Sequence, residues 1–278
     1  MSLHWEPIPE LYPFWLRGRV RRGRGIGERL GYKSFLDVRD VPSRGTSAYI
    51  AGIVIARFFV MLSNLETTHF LQIERRRNIA DVRENWPIFH LDRTVELCNE
   101  YHVRHVYRGH FLFPFTIDFL ITEMVDGKIR YRAESIKTPE DAADPEVRLR
   151  LLIEELWCRE HGIEWCLVDT SEYTRTMLSA LRFMRAWFKF GYVPNAEDEP
   201  RFANYFMANY RRNVALSILV HDAGRALRLS EPKARSIFRY CAWSEQIPVS
   251  LKHRLAFNWP LVLKDAAVQQ EETHATAA

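Results

Sequence analysis

Glu66, Asp118, Ser135 and Lys137 are side chains whose joint chemistry is narrow if the chain brings them together. Carboxylate and hydroxyl oxygens suit a hard divalent cation such as Mg²⁺, with Mn²⁺ able to substitute. Mg²⁺ keeps several waters, so a sparse protein ligand set suffices. A lysine ammonium beside the ion would orient a water or stabilise developing negative charge. Together these are the parts for phosphodiester hydrolysis, in which the cation polarises the phosphoryl group and helps deprotonate water. Ser135 is a weak ligand, so Asp118 needs a second carboxylate, and Glu66 and Glu154 are the candidates.

A hairpin would gather three of the four. FPFTIDFLITEM and KIRYRAESIK flank Asp126-Gly127, a signal for a two-residue type I′ turn. Pairing Val125 with Lys128 puts Asp118 across from Ser135 and Thr116 across from Lys137. Opposed residues share a face and side chains alternate, so Asp118, Ser135 and Lys137 lie on one face of an unbulged hairpin. Glu134 pairs with Phe119 on the other face, which removes it as the acid of the set. Asp is disfavoured within strands, and Asp118 lies inside an apolar run, which favours a functional role over an edge-strand one.

Glu154 falls on a helix begun by Asp144-Pro145 and ended by Gly162, on a stripe with Val147, Leu151 and Cys158. A carboxylate on such a stripe is costly unless paired or metal-bound. Glu66 stands at the third helical position of a capping box, Ser63-Asn64-Leu65-Glu66, so its simplest role is the cap. With the hairpin it becomes a plausible first acid. His102, His105 and His110 fit no good zinc spacing and no cysteine pair accompanies them, so they read as surface or structural histidines. No Ser/His/Asp elbow or P-loop is present, and Gly23, Gly25 and Gly27 follow no strand and make no dinucleotide fingerprint.

The 278 residues are 47% hydrophobic with a net charge of +4. Residues 46–174 hold 15 basic and 21 acidic residues, whereas residues 175–264 hold 15 and 6. Basic flanks around an acidic centre suit a protein that grips a polyanion and places carboxylates on it; basic residues that merely coat helices are the plainer alternative. Arg21, Arg22 and Arg24 in an Arg/Gly loop, and Arg75, Arg76 and Arg77 at a helix end, are the DNA-binding candidates. No signal peptide is seen, and Tyr49–Leu62 is too short to span a bilayer and is broken by Arg57. Four cysteines without CxxC spacing read as free thiols in a cytoplasmic protein without a membrane association.

The expected organisation has four parts. Residues 1–45 form an arm and a flexible basic loop. Residues 46–174 form an α/β domain with strands within 49–62, the hairpin, the 145–160 helix and a buried strand at Ile163–Val168. Residues 175–264 form a mainly helical unit: helices at Met177–Phe190, around Phe202–Tyr210, at Val214–Val220 with Gly224 as a stop, and from Ser230 to about Trp243. Two β-like runs follow, Ile247–Val249 and Arg254–Phe257, giving a winged-helix order. Residues 265–278 form a disordered tail.

The stretches GRGIGERLGYKSFLDVRDVPSRGTS, LSNLE, IADVRENWPIF, HVYRGHFLFPFTIDF, SIK and GIEWCLVDTSE, in this order, resemble the TnsA family. The segment ALRLSEPKARSIFRYCAWSEQIPVSL resembles that family's winged-helix C-terminal domain. The resemblance implies an α/β restriction-endonuclease-like fold, a mixed sheet flanked by helices, and a Mg²⁺-dependent endonuclease of the PD-(D/E)xK type. It implies that the protein cuts 5′ ends at transposon termini within a heteromeric cut-and-paste transposase. The implied partners are transposon-end DNA, a DDE-type TnsB-like transposase, and a TnsC-like ATPase regulator that engages the C-terminal domain. By motif, Glu66 is the helix acid, Asp118 the central acid and Lys137 the strand lysine. Ser135 holds a position where the family can have Gln, and Glu154 sits where a helix carboxylate could compensate. A stand-alone restriction- or resolvase-like nuclease and a catalytically degraded DNA- or partner-binding adaptor are the competing readings.

Overall fold

A computed structural model describes residues 10, 12–40 and 46–264. The chain divides into two compact units, residues 1–172 and 173–278.

The first unit is built on a mixed sheet in the order β3-β6-β7-β8. Strands β6 (Thr116–Val125) and β7 (Lys128–Ile136) form the expected hairpin. Asp126 and Gly127 both take positive φ, 50° and 72°, as a type I′ turn requires, and Val125 pairs with Lys128. The register then runs unbulged to Phe119 opposite Glu134. On the far side of β6 lies β3 (Ile79–Pro87), antiparallel, a strand that the sequence reading had not assigned. Polar residues hide its pattern: Asp81, Arg83, Glu84 and Asn85 are all buried. Beyond β7 lies β8 (Glu164–Val168), parallel to it. The parallel pair is joined by α4 (Pro139–Ala143) and α5 (Pro145–Glu160), the long crossover that such pairing requires. Asp144 caps α5 by accepting the Glu146 and Val147 amides, as its sequence predicts.

Helices cover both faces. Trp157, Ile153 and Leu156 of α5 pack with Leu120, Ala133, Trp86 and with Leu97 of α3 (Leu91–Glu100). On the other face Phe70 of α2 (Asn64–Ile73) stacks on Phe119, with ring centroids 6.2 Å apart, and meets Phe59 at 4.5 Å. Phe59 belongs to a separate hairpin of β1 (Ala48–Ala51) and β2 (Phe58–Met61), which resolves the 49–62 run into two strands. Arg57, the residue that interrupts that run, ends in a bidentate pair with buried Glu84 at 2.6 and 3.0 Å, and its guanidinium lies over the Phe59 ring. A second short ribbon joins β4 (Tyr107–Arg108) to β5 (Phe111–Leu112). His105 bonds to Thr94 and the Val106 carbonyl in the interior, a structural histidine as expected.

Two expectations about the N-terminal segment are corrected. The end of the arm expected over residues 1–16 and the start of the loop expected over 17–31 instead form α1 (Phe14–Arg21), and Tyr12, Leu16 and Val20 are buried with Phe35, Phe89 and Leu91. The basic loop is not free either. Its Gly25 amide donates to the Lys33 carbonyl, and a Cβ at Gly25 would stand 2.4 Å from the Pro87 ring, so only glycine fits there. The expected tail, 265–278, lies outside the described residues.

In the second unit α6 (Arg175–Lys189), α7 (Asp198–Ala208), α8 (Leu216–Ala226) and α9 (Glu231–Trp243) follow the expected order. Gly224 is not a stop. It lies inside α8, and a Cβ there would stand 3.1 Å from Ala234 of α9, so it serves the close approach of the two helices. The two expected β runs do not pair with each other. Val249 bridges Leu263 and Ala215 bridges Pro260, and the Arg254–Phe257 run is irregular. Arg254 instead places its guanidinium over the Trp259 ring.

Candidate active site

The site forms where the central hairpin opens. Continuing the register puts Asp118 across from Ser135 on one side and from Asn85 on the other, yet neither pair is made in the ladders. Asn85 takes a positive φ of 49°, and its side-chain amide donates to the Val60 carbonyl. Asp118 closes the gap with its own carboxylate, whose Oδ2 accepts the Ile136 amide at 2.6 Å. The same oxygen accepts from Lys137 Nζ at 3.2 Å, and that ammonium also donates to the Ile136 carbonyl at 2.9 Å. Sparsely populated backbone and a broken ladder are features that accumulate at functional sites.

Period-2 alternation then divides β7 between the two helices. Ser135 faces α5 and donates to Glu154 Oε2 at 2.6 Å; both residues are buried. Glu134 faces α2, where it meets His69 Nε2 at 2.6 Å and Arg76 Nη1 at 3.0 Å, with Arg132 at 3.0 Å. Glu134 therefore lies on the opposite face of the strand from Ser135, as the hairpin register predicts. This ion cluster anchors α2, the helix that carries Glu66, to the strand that carries Ser135. Glu66 makes a variant of the expected capping box: its backbone amide donates to Ser63 Oγ, while its carboxylate accepts from that hydroxyl and from the Leu62 amide, one residue before the cap.

The charges of these groups are coupled. Burial, reinforced by the nearby Asp118 charge, pushes the Glu66 carboxyl up to about 7 against the bonds from Leu62 and Ser63. Burial likewise pushes Glu154 up to about 7, against the Lys137 charge and the Ser135 hydroxyl. For Lys137, burial works against the charge, but Asp118, Glu154 and Glu66 outweigh it and hold the ammonium above the usual lysine range. Three acids thus surround one lysine. The oxygen donors Glu66, Asp118, Ser135 and Glu154 fit a hard cation in type, and their mutual repulsion is what a bound cation would relieve. As they stand they are engaged in their own hydrogen bonds, and among the described residues no three acidic, His or Cys side chains are grouped to hold a metal ion.

The six arginines expected to bind DNA divide. Arg21, Arg22 and Arg77 are exposed, Arg24 is bonded to Asp37 at 3.0 Å, and Arg75 is partly buried. Arg76 is engaged by Glu134 at 3.0 Å and lies 3.8 Å from Glu123, so it also serves as an anchor for that acid. The His69–Glu134 pair was missed as a positioning element. Its only sequence signal was the parity of an acid on the hairpin's far face.

A four-strand mixed sheet flanked by helices, with acids and a lysine at its opened centre, is consistent with a restriction-endonuclease-like fold. Residues 76–170 match the family model "TnsA-like endonuclease N terminal". The match includes Asp118, Ser135, Lys137 and Glu154, and begins beyond Glu66. The chain is also 30% identical over 155 residues to the Transposon Tn7 transposition protein TnsA of Escherichia coli, covering 55% of this chain and 56% of that protein. The aligned part thus spans about half the length of that relative. The chain is thus similar to TnsA proteins over about half its length, and the matched part holds the opened hairpin.

Proposed function

We propose that the chain is the DNA-cleaving subunit of a heteromeric transposase, a metal-dependent endonuclease that hydrolyses phosphodiester bonds at the 5′ ends of transposon termini. The observation that carries this reading is the convergence of Glu66, Asp118 and Glu154 on Lys137 at the break in the hairpin ladder. Bound Mg²⁺ would polarise the phosphoryl group and lower the pKa of a water. Asp118, Glu66, Glu154 and the Ser135 hydroxyl would hold it. Lys137 is kept protonated, so its Nζ is fitted to donate to the oxygen on which negative charge develops. A glutamate with its pKa near 7 is matched to accepting a proton from the attacking water, and both Glu66 and Glu154 meet that condition. The second unit, with α8 and α9 followed by paired loop segments, would act as a winged-helix-like module for DNA or for a TnsC-like regulator, beside a TnsB-like partner. Among the described residues no helix is long and apolar enough to cross a membrane, and a cytoplasmic location accords with a DNA substrate.

Isothermal titration of Mn²⁺ into wild type and Asp118→Ala tests this. Binding in wild type that Asp118→Ala abolishes is the expected result, followed by cleavage of transposon-end DNA in the presence of the partner transposase. The self-satisfied state of the acids, with Ser135 in place of a ligand acid, favours a second reading, a non-cleaving adaptor. Absence of Mn²⁺ binding both alone and with DNA present would establish that reading instead.

A further inference from the structure

In the second unit, the start of α9 and the segment after α6 enclose an open pocket of about 830 Å³, lined among others by Phe190, Tyr192, Ser230, Lys233, Arg235 and Arg239. Its three cations are not equivalent. Lys233 Nζ pairs with Asp198 at 2.7 Å, and Arg235 pairs with Glu231 at 2.5 Å. Arg239 has no acidic partner among the described residues, and its Nε is buried without a hydrogen bond. Its guanidinium is held by three rings, 5.1 Å from the Phe183 centroid and 4.9 Å from those of Phe190 and Phe257. Arg235, one turn earlier on the same helix, stands 4.8 Å over the Phe257 ring. Burial and the Arg235 charge pull the Arg239 guanidinium below the usual arginine range.

Aromatic walls fix the guanidinium plane, and the missing carboxylate leaves its fork of donors uncommitted. That is a preorganised phosphate ligand beside a second arginine whose own partner, Glu231, also lines the pocket, so an entering anion meets Arg239 first. Phe190 is 62% exposed beside it, an open ring face of the kind on which a nucleobase stacks. Ser230 starts α9, but its hydroxyl makes no cap bond there.

We propose that this pocket binds a backbone phosphate of a nucleic-acid strand through Arg239 and Arg235, with Phe190 stacking on an adjacent base. The choice of a strand, rather than free phosphate, rests on the reading of the protein as a DNA-acting subunit; the anion chemistry does not.

The test is fluorescence anisotropy of a short labelled oligothymidylate titrated with the full chain in EDTA, with inorganic phosphate as competitor. Because it reads binding without metal or cleavage, its failure leaves the nuclease reading standing, and the reverse. Arg235→Ala and Arg239→Lys should each weaken binding about tenfold, the second because lysine keeps the charge but loses the planar fork. Phe190→Ala should weaken oligonucleotide binding while leaving competition by phosphate intact. Lys264→Ala, which removes a charge paired with Glu245 outside the pocket, should change it little. Arg235→Ala keeps the test valid if Arg239→Lys disturbs the fold, which circular dichroism reports. Folded Arg235→Ala binding like wild type would overturn the proposal. Phosphate binding as tight as the oligonucleotide would overturn the assignment to a strand.

Discussion

Glu154 is 7% exposed and bonded to Ser135, and burial holds its carboxyl near 7. Glu66 is more exposed, so the stability argument is better made on Glu154. As pH rises from about 4.5, an unfolded-state glutamate ionises first while the folded one keeps its proton. The folded state then binds more protons, so stability falls between about pH 4.5 and 7 and stays lowered above that. Glu154→Gln cannot ionise, and its side-chain carbonyl can still accept from Ser135. It should therefore raise the unfolding temperature above pH 7, by an amount equivalent to about 3 kcal/mol, give no gain near pH 4.5, and weaken Mn²⁺ binding. Thermal melts at the two pH values, paired with titration, check it. A variant stabilised by losing a site residue is the expected signature of a site that stores repulsion for a ligand.

Among the elements, β3 and the β1–β2 hairpin depend on the Arg57–Glu84 pair. Glu84 is 1% exposed, accepts the Val60 amide as well as the guanidinium, and is pushed up by burial against these bonds. Arg57→Ala would leave that carboxylate buried and unpaired, at a cost of about 3–5 kcal/mol. Arg57→Met with Glu84→Gln removes both charges and should recover much of the loss. Urea denaturation of the single and double variants measures the difference. An equal loss in both would show that the guanidinium's contacts with the Phe59 ring and the Val82 carbonyl, which methionine cannot make, hold the hairpin.

At the scale of the molecule, the acidic centre and the basic 175–264 region carry opposed fields. Acids clustered at the proposed site repel a DNA phosphate until a cation neutralises them. Ca²⁺, which does not support cleavage in many such sites, should tighten binding of transposon-end DNA to wild type and not to Asp118→Ala. The affinity of both should fall at least about tenfold between low and physiological salt, because phosphate contacts release counterions. Electrophoretic mobility shift across salt and Ca²⁺ concentrations separates the two effects. Equal Ca²⁺ enhancement in Asp118→Ala would place the cation elsewhere.

What the sequence settled by itself were features of local origin. Turn chemistry at Asp126-Gly127 fixed the hairpin register and with it the faces of Asp118, Ser135 and Glu134. Capping residues fixed the starts of α2 and α5. The tertiary structure decided what depends on distant partners. It brought Arg76, a DNA candidate from the sequence, to the buried acid Glu134, a partner 58 residues away. It made β3 a strand although its buried residues are charged, because Arg57 and Thr122 arrive from elsewhere to satisfy them. It opened the ladder at Asp118, where Asn85 leaves strand geometry, a choice that no local propensity encodes. Periodicity and caps are written residue by residue, whereas compensation of a buried charge is a property of the pair, and only folding brings the pair together.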